Sequence, residues 1–283
     1  MRSLLEFNPY HDKATGRFTT ANGAGSAAGE AGKGGAGKRR KPVQVSSVDE
    51  AIGLLLKGQA VELPDPKQAN TLLTRLAEMA NDAKSKGADA PNYDLCNVSV
   101  AGSNNLFCGS KLRTKEYPDG VPRIDMPQFS GSPVPGSKAD ALPKNDKGEV
   151  NAADAFMDHL RSLGIPVVKS LVPAARLRAS QAELVGPKVA GMMTSKSYDP
   201  AGEPIFISRD HYVIDGHHRW AAVVGRDAQD GRLGDLRMQT VKVDAPISEV
   251  LLIAREWATQ FGIAGKGGPS AAKARPSKFL RRG

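Results

Sequence analysis

PIFISRDHYVIDGHHRWAAVVG (Pro204–Gly225) is the stretch around which the rest of the chain is organised. Pro204 to Ser208 is a short apolar, β-branched run, Arg209-Asp210-His211 is polar turn material, and Tyr212 to Ile214 is a second strand-like run. Two such runs across a three-residue break predict a hairpin or two tightly joined strands. Asp215-Gly216 breaks the second strand, and Trp220, Ala221, Ala222 and Val224 then follow helical spacing from His217 onward.

A strand, an Asp-Gly break and a helix opening on His-His-Arg suit an anion. The first helical turn presents unpaired N–H groups and the positive end of the macrodipole. Gly216 lets the backbone approach a ligand, and Arg219 offers a planar fork for two phosphate oxygens. His217 and His218 carry donors and titrate near neutral pH, while Asp215 suits a divalent cation or the orientation of a histidine. A plainer reading fits the same residues: an exposed helix start capped by Asp215, with Arg219 solvated and Trp220 and Val224 in the core.

Ile214 to Ala222 (IDGHHRWAA), after a strand pair and before an amphipathic helix, resembles the ParB/sulfiredoxin superfamily. The equivalent turn reads Gly-Cys-His-Arg in sulfiredoxins and Gly-Glu-Arg-Arg in ParB-type CTPases and nuclease-like proteins. The Asp-Gly-His-His-Arg turn is closer to that of the free-serine kinases. The resemblance implies that Gly216, His217, His218 and Arg219 contact nucleotide phosphates. His217 stands where sulfiredoxins carry cysteine and ParB carries glutamate, so neither cysteine-sulfinate repair nor a CTP clamp is implied.

The region before this turn matches the same pattern. Ile165 to Val172 reads as a strand, then a loop from Pro173 enters a helix predicted over Glu183 to Met193. By the resemblance, Ser180, Gln181, Glu183 and Lys188 are nucleotide-contacting candidates. Glu183 is the carboxylate best suited to general-base or metal work, because the reaction needs one opposite the phosphate. Helix-dipole complementation explains a glutamate there equally well. Arg176 and Arg178 either neutralise phosphate or hold the loop.

Further upstream, Val48–Leu56 and Asp65–Lys86 read as capped amphipathic helices, with Val61–Leu63 and Tyr93–Val100 as strands. Arg123 to Phe129 is an extended run similar to segments preceding ParB-like cores in phage proteins. Its Arg123, Asp125 and Gln128 are either cleft-lining or surface residues of a β-arm. Ser130–Lys147 reads as a linker, Ala152–Leu163 as a helix, Arg226–Asp235 as a polar loop, Leu236–Val243 as a strand and Pro246–Phe261 as the last helix.

The expected class is α+β: a small mixed ParB/sulfiredoxin-like sheet with flanking helices over 152–263, an accessory helical and extended region over 43–131, and a linker over 132–151. Residues 1–42 and 264–283 are expected to be disordered. Met1 to Pro42 holds eight Lys/Arg against three Asp/Glu, and Ala264 to Gly283 holds six against none. The net charge of +9 therefore belongs to the ends. Lys38, Arg39, Arg40, Lys41, Arg281 and Arg282 are candidate nucleic-acid contacts, or simply solubilising charge.

HDxxTGRF (His11–Phe18) resembles N-terminal tags on phage head-associated proteins, which implies docking of residues 7–18 on a head or packaging partner. His11 and Asp12 are metal-ligand types with nothing nearby to complete a site. Cys96 and Cys108 lack CxxC spacing and read as two ordinary thiols of a reducing compartment. No membrane span or secretory segment is evident, so a host-cytoplasmic or virion-associated protein is expected.

Three functions follow. The first is an enzyme that binds a nucleoside triphosphate (ATP or CTP) with Mg²⁺ held by Asp215 or Glu183, and hydrolyses or transfers its phosphate. The candidate catalytic groups are His217, His218, Glu183 and Asp215. The second is a metal-dependent nuclease acting on DNA at the same turn, and the third is a non-catalytic head- or genome-associated binding protein.

Overall fold

The structure, a computed structural model, describes residues 41–101, 107–108, 111–229 and 234–263. The Phe7–Phe18 tag and the basic residues Lys38, Arg39, Arg40, Arg281 and Arg282 lie outside these. Lys41 is described and exposed.

The chain begins with β1 (Val43–Gln44), α1 (Val48–Leu55), β2 (Val61–Leu63) and α2 (Pro66–Ser85), and β3 (Val98–Val100) completes a three-stranded parallel sheet in the order β1-β2-β3. Both helix starts are locally encoded. Ser47 accepts the Glu50 N–H at 3.2 Å, and Asp65 accepts the Gln68 N–H at 2.8 Å. The strand expected over Tyr93–Val100 is confined to Val98–Val100. Asp94 accepts the Cys96 N–H at 2.9 Å and winds Leu95–Asn97 into a 3-10 turn, so pairing begins only at Val98.

β4 (Ser130–Gly131) pairs antiparallel with β5 (Val150–Asn151), and α3 (Ala153–Ser162) follows. The segment between them is tied to the rest of the fold at particular points. Val134 N–H bonds the Gly262 carbonyl at 2.8 Å, and Ala139 and Val150 are buried. The second sheet is built from β6 (Val167–Pro173), β7 (Arg178–Ala179), β8 (Ile205–Ser208), β9 (Tyr212–Asp215) and β10 (Arg237–Val243). Its order is β6-β10-β8-β9-β7, with antiparallel β6/β10 and β8/β9 pairs and parallel β10/β8 and β9/β7 pairs. α4 (Gly186–Thr194), α5 (His217–Gln229) and α6 (Ile247–Phe261) are the remaining helices. This is a mixed sheet flanked by helices, an α+β fold.

Alternation along β8 and β9 sorts the core into two layers. Ile205, Ile207 and Val213 lie in one hydrophobic cluster with Trp220 and Val224 of α5, Val189 of α4, and Leu72 and Leu76 of α2. Phe206 and Ile214 face the opposite cluster, with Phe129, Phe156 of α3 and Trp257 of α6. The aromatic rings there are close: Phe129 to Phe156 is 4.4 Å and Phe156 to Trp257 is 5.0 Å between centroids. Both layers mix residues from before 131 with residues after 152.

Two helix limits differ from expectation. α5 runs on to Gln229, into the expected loop, and buried Asp227 explains the return: its carboxylate accepts the N–H groups of Gly234 at 2.7 Å and Leu236 at 3.1 Å. α4 starts at Gly186 rather than Glu183, because Leu184 is held extended between Asp94 Oδ1, which accepts its N–H at 2.9 Å, and the Leu95 N–H, which its carbonyl accepts at 3.0 Å. Cys96 and Cys108 are not separate thiols but a disulfide, with Cα atoms 5.1 Å apart. No helix among the described residues is long and apolar enough to cross a membrane.

Candidate phosphate-binding turn and its supporting loop

Asp215 ends β9, and Gly216 follows with φ +91°. A Cβ at Gly216 would strike Ile205 Cγ2 and lie 3.2 Å from Arg219 Nη2, so a side chain is excluded both by conformation and by packing. The glycine brings the start of α5 down onto β8.

The two histidines face inward. His217 is 3% exposed, and its Nε2 accepts the N–H groups of Ser180 and Gln181, both at 3.2 Å, with Ser180 Oγ at 3.1 Å. That hydroxyl donates to the Val213 carbonyl at 2.6 Å. His218 is 8% exposed, and its Nε2 accepts the Val185 N–H at 3.2 Å. Accepting at Nε2 requires each neutral ring to carry its proton on Nδ1. Burial pushes the His217 pKa down to about 4, against a smaller opposing pull from Asp215. Contrary to expectation, His217 does not change charge near neutral pH; it is a neutral acceptor for backbone.

Arg219 is also engaged. Its side chain is 14% exposed, with Nη1 2.9 Å from Glu203 Oε2 and Nη2 3.6 Å from Asp215 Oδ2. Asp215 therefore serves first as a partner of Arg219. Glu203 was not singled out from sequence: it lies in the turn-rich stretch before β8, and no local pattern marks it.

The loop that the imidazoles hold carries the other predicted residues. Ser180 and Gln181 are buried, Gln181 Nε2 donates to the Glu183 carbonyl at 2.6 Å, and Glu183 itself is exposed. Lys188 stands half-buried in the first turn of α4. The loop also borders a cleft of about 640 Å³ lined by Tyr93, Asp94, Asn97, Arg123, Glu183 and Leu184 among others. Burial lowers the Arg123 pKa while the Glu183 charge opposes that shift. Burial, reinforced by Glu183, raises that of Asp94 against the pull of two backbone N–H bonds and Lys111. Of the three upstream candidates only Arg123 lines this cleft. Gln128 bonds the Met126 carbonyl at 3.0 Å, and Asp125 uses its backbone carbonyl to accept from Arg255 at 2.6 Å. Arg176 and Arg178 are exposed, Arg178 lying 5.6 Å over the Tyr212 ring.

Among the described residues no three His, Cys, Asp or Glu side chains converge to hold a metal. Asp215 sits on Arg219 while Glu183 borders the cleft, which is not an all-protein cage. Mg²⁺ arriving with nucleotide phosphates needs only one or two carboxylates, and either residue meets that requirement.

Comparison of the chain with family models, curated proteins and solved structures finds no match.

Proposed function

We propose that the chain binds a nucleoside triphosphate, ATP or CTP, with Mg²⁺ at the start of α5, and hydrolyses the nucleotide or transfers its phosphate. The observation that supports this reading is the junction between the 180–185 loop and the DGHHR turn. Three loop N–H groups end on the two imidazoles, so Ser180 and Gln181 are joined by hydrogen bonds to the histidines of the turn, four of the residues that the family resemblance links to nucleotide.

In this reading the N–H groups of the first turn of α5 and the Arg219 fork hold the phosphates. Arg219 must release Glu203 or Asp215 to do so, and the freed carboxylate is then placed for the cation that accompanies the phosphates. His217 and His218 are positioning residues, fixing the loop that carries Glu183. Glu183 is the general-base candidate, exposed and therefore reachable by an acceptor. Bound Mg²⁺ would supply charge neutralisation on the phosphate oxygens.

Thermal unfolding with and without ATP or CTP and Mg²⁺ tests this. Nucleotide at about 100 times Kd should raise stability by about 2.7 kcal/mol. Arg219→Ala should lose that rise, its own melting temperature without nucleotide serving as baseline. No response of the wild-type protein to either nucleotide would remove the assignment.

A further inference from the structure

The Cys96–Cys108 disulfide joins the two chain segments that hold the 180–186 loop from outside. On the Cys96 side, Asp94 Oδ1 accepts the Leu184 N–H at 2.9 Å, the Leu184 carbonyl accepts the Leu95 N–H at 3.0 Å, and the Tyr93 carbonyl accepts the Gly186 N–H at 2.9 Å. On the Cys108 side, Lys111 Nζ donates to the Ala182 carbonyl at 3.1 Å and the Leu112 N–H to the Ala179 carbonyl at 2.8 Å. The imidazoles of His217 and His218 grip the same loop from within. One covalent bond thus closes a brace around the loop, with Cys96 in the 3-10 turn Leu95–Asn97 at one end.

We propose that Cys96–Cys108 is a redox-active modification site that sets the rigidity of the 180–186 loop, with a dithiol as its reductant. The two residues differ in access: Cys96 is partly buried, whereas Cys108 is 4% exposed. A thiolate of the dithiol attacks Cys96 Sγ, the S–S bond breaks, and Cys108 leaves as a thiolate that takes up a proton. The second thiol of the reductant then displaces Cys96 from the mixed disulfide. Two electrons and two protons pass from dithiol to protein, and the reductant leaves as a cyclic disulfide. Oxidised glutathione reverses the exchange, yielding two molecules of reduced glutathione. Opening the bond removes the covalent link between the Asp94 and Leu112 anchors, which are then joined only through noncovalent contacts of the fold.

Loop mobility is independent of the nucleotide reading; only its consequence for phosphate binding rests on that reading. The test is hydrogen exchange of the full chain, before and after dithiothreitol, read separately over residues 179–186 with Leu112 and over α5. Reduction should speed exchange at Leu184, Gly186 and Leu112 by roughly tenfold or more, with α5 unchanged and re-protection by oxidised glutathione. The Cys96→Ser/Cys108→Ser double variant should exchange at the fast rate under both conditions. If that variant does not fold, the reduced wild-type protein carries the test. Equal exchange in both redox states overturns the proposal, as does loss of protection throughout the chain, which would make the bond a general staple. Two thiols that titrate in the untreated protein and stay open with oxidised glutathione overturn it as well. If the loop responds and no nucleotide binds, the redox site stands and the phosphate reading falls.

Discussion

His217→Leu is expected to destabilise the fold by about 3–5 kcal/mol. Leucine fills the buried volume but accepts nothing, which strands the Ser180 and Gln181 N–H groups in the interior. Each stranded buried donor costs roughly 1–3 kcal/mol, and both lie beyond reach of water. His217→Gln, whose side-chain carbonyl is an acceptor, should recover part of the loss. A mere packing role for the ring would predict the opposite order, because leucine is then the better replacement. Urea unfolding of the three proteins decides between them.

The same ring fixes a pH dependence. The folded-state pKa of about 4 lies below the ordinary value of 6.5. Between these values the unfolded chain takes up a proton that the folded ring refuses, so stability falls as pH drops through that window and levels off below it. The full loss is roughly 3 kcal/mol, and above pH 6.5 the contribution is complete. A plot of unfolding free energy against pH should show a slope in this window that is steeper in the wild type than in His217→Leu, with the lowered His211 contributing the remainder. An identical slope in both would mean that His217 is not the group responsible.

Gly216→Ala should cost about 3 kcal/mol and displace the start of α5. Two effects add. The φ of +91° strains any L side chain by about 1–2 kcal/mol, and the new Cβ collides with Ile205, itself fully buried. Gly164 is the control: its φ is +73°, but nothing lies within 4 Å of an added Cβ, so Gly164→Ala should show the conformational strain alone, about 1 kcal/mol. A difference of less than about 0.5 kcal/mol between the two variants would mean that Ile205 yields and that the close approach is not what demands glycine. If the phosphate reading is right, Gly216→Ala also loses its thermal response to nucleotide, since the first-turn N–H groups no longer occupy the same place.

The local elements were written locally. Ser47 and Asp65 announce α1 and α2 because a cap bonds a backbone N–H three residues away. The pair β8 and β9, the break at Gly216 and the onset of α5 follow from alternation, a glycine and a change of period, all within one short window. The hydrogen bonds that tie Ser180, Gln181 and Val185 to the histidines have no such local signal, because they span more than thirty residues.

What the sequence determined alone is the alternation that buries one side of each strand, the caps, and the glycine where the chain turns. Only the tertiary structure decided what the polar groups do. Whether a histidine faces water or backbone depends on a loop more than thirty residues earlier. Arg219 meets a carboxylate sixteen residues away, Asp94 meets an N–H ninety residues on, and Cys96 finds Cys108 with no motif to announce it. A backbone period is a property of neighbours in the chain. A hydrogen-bond partner is a property of neighbours in space, which exist only once the two hydrophobic layers have closed.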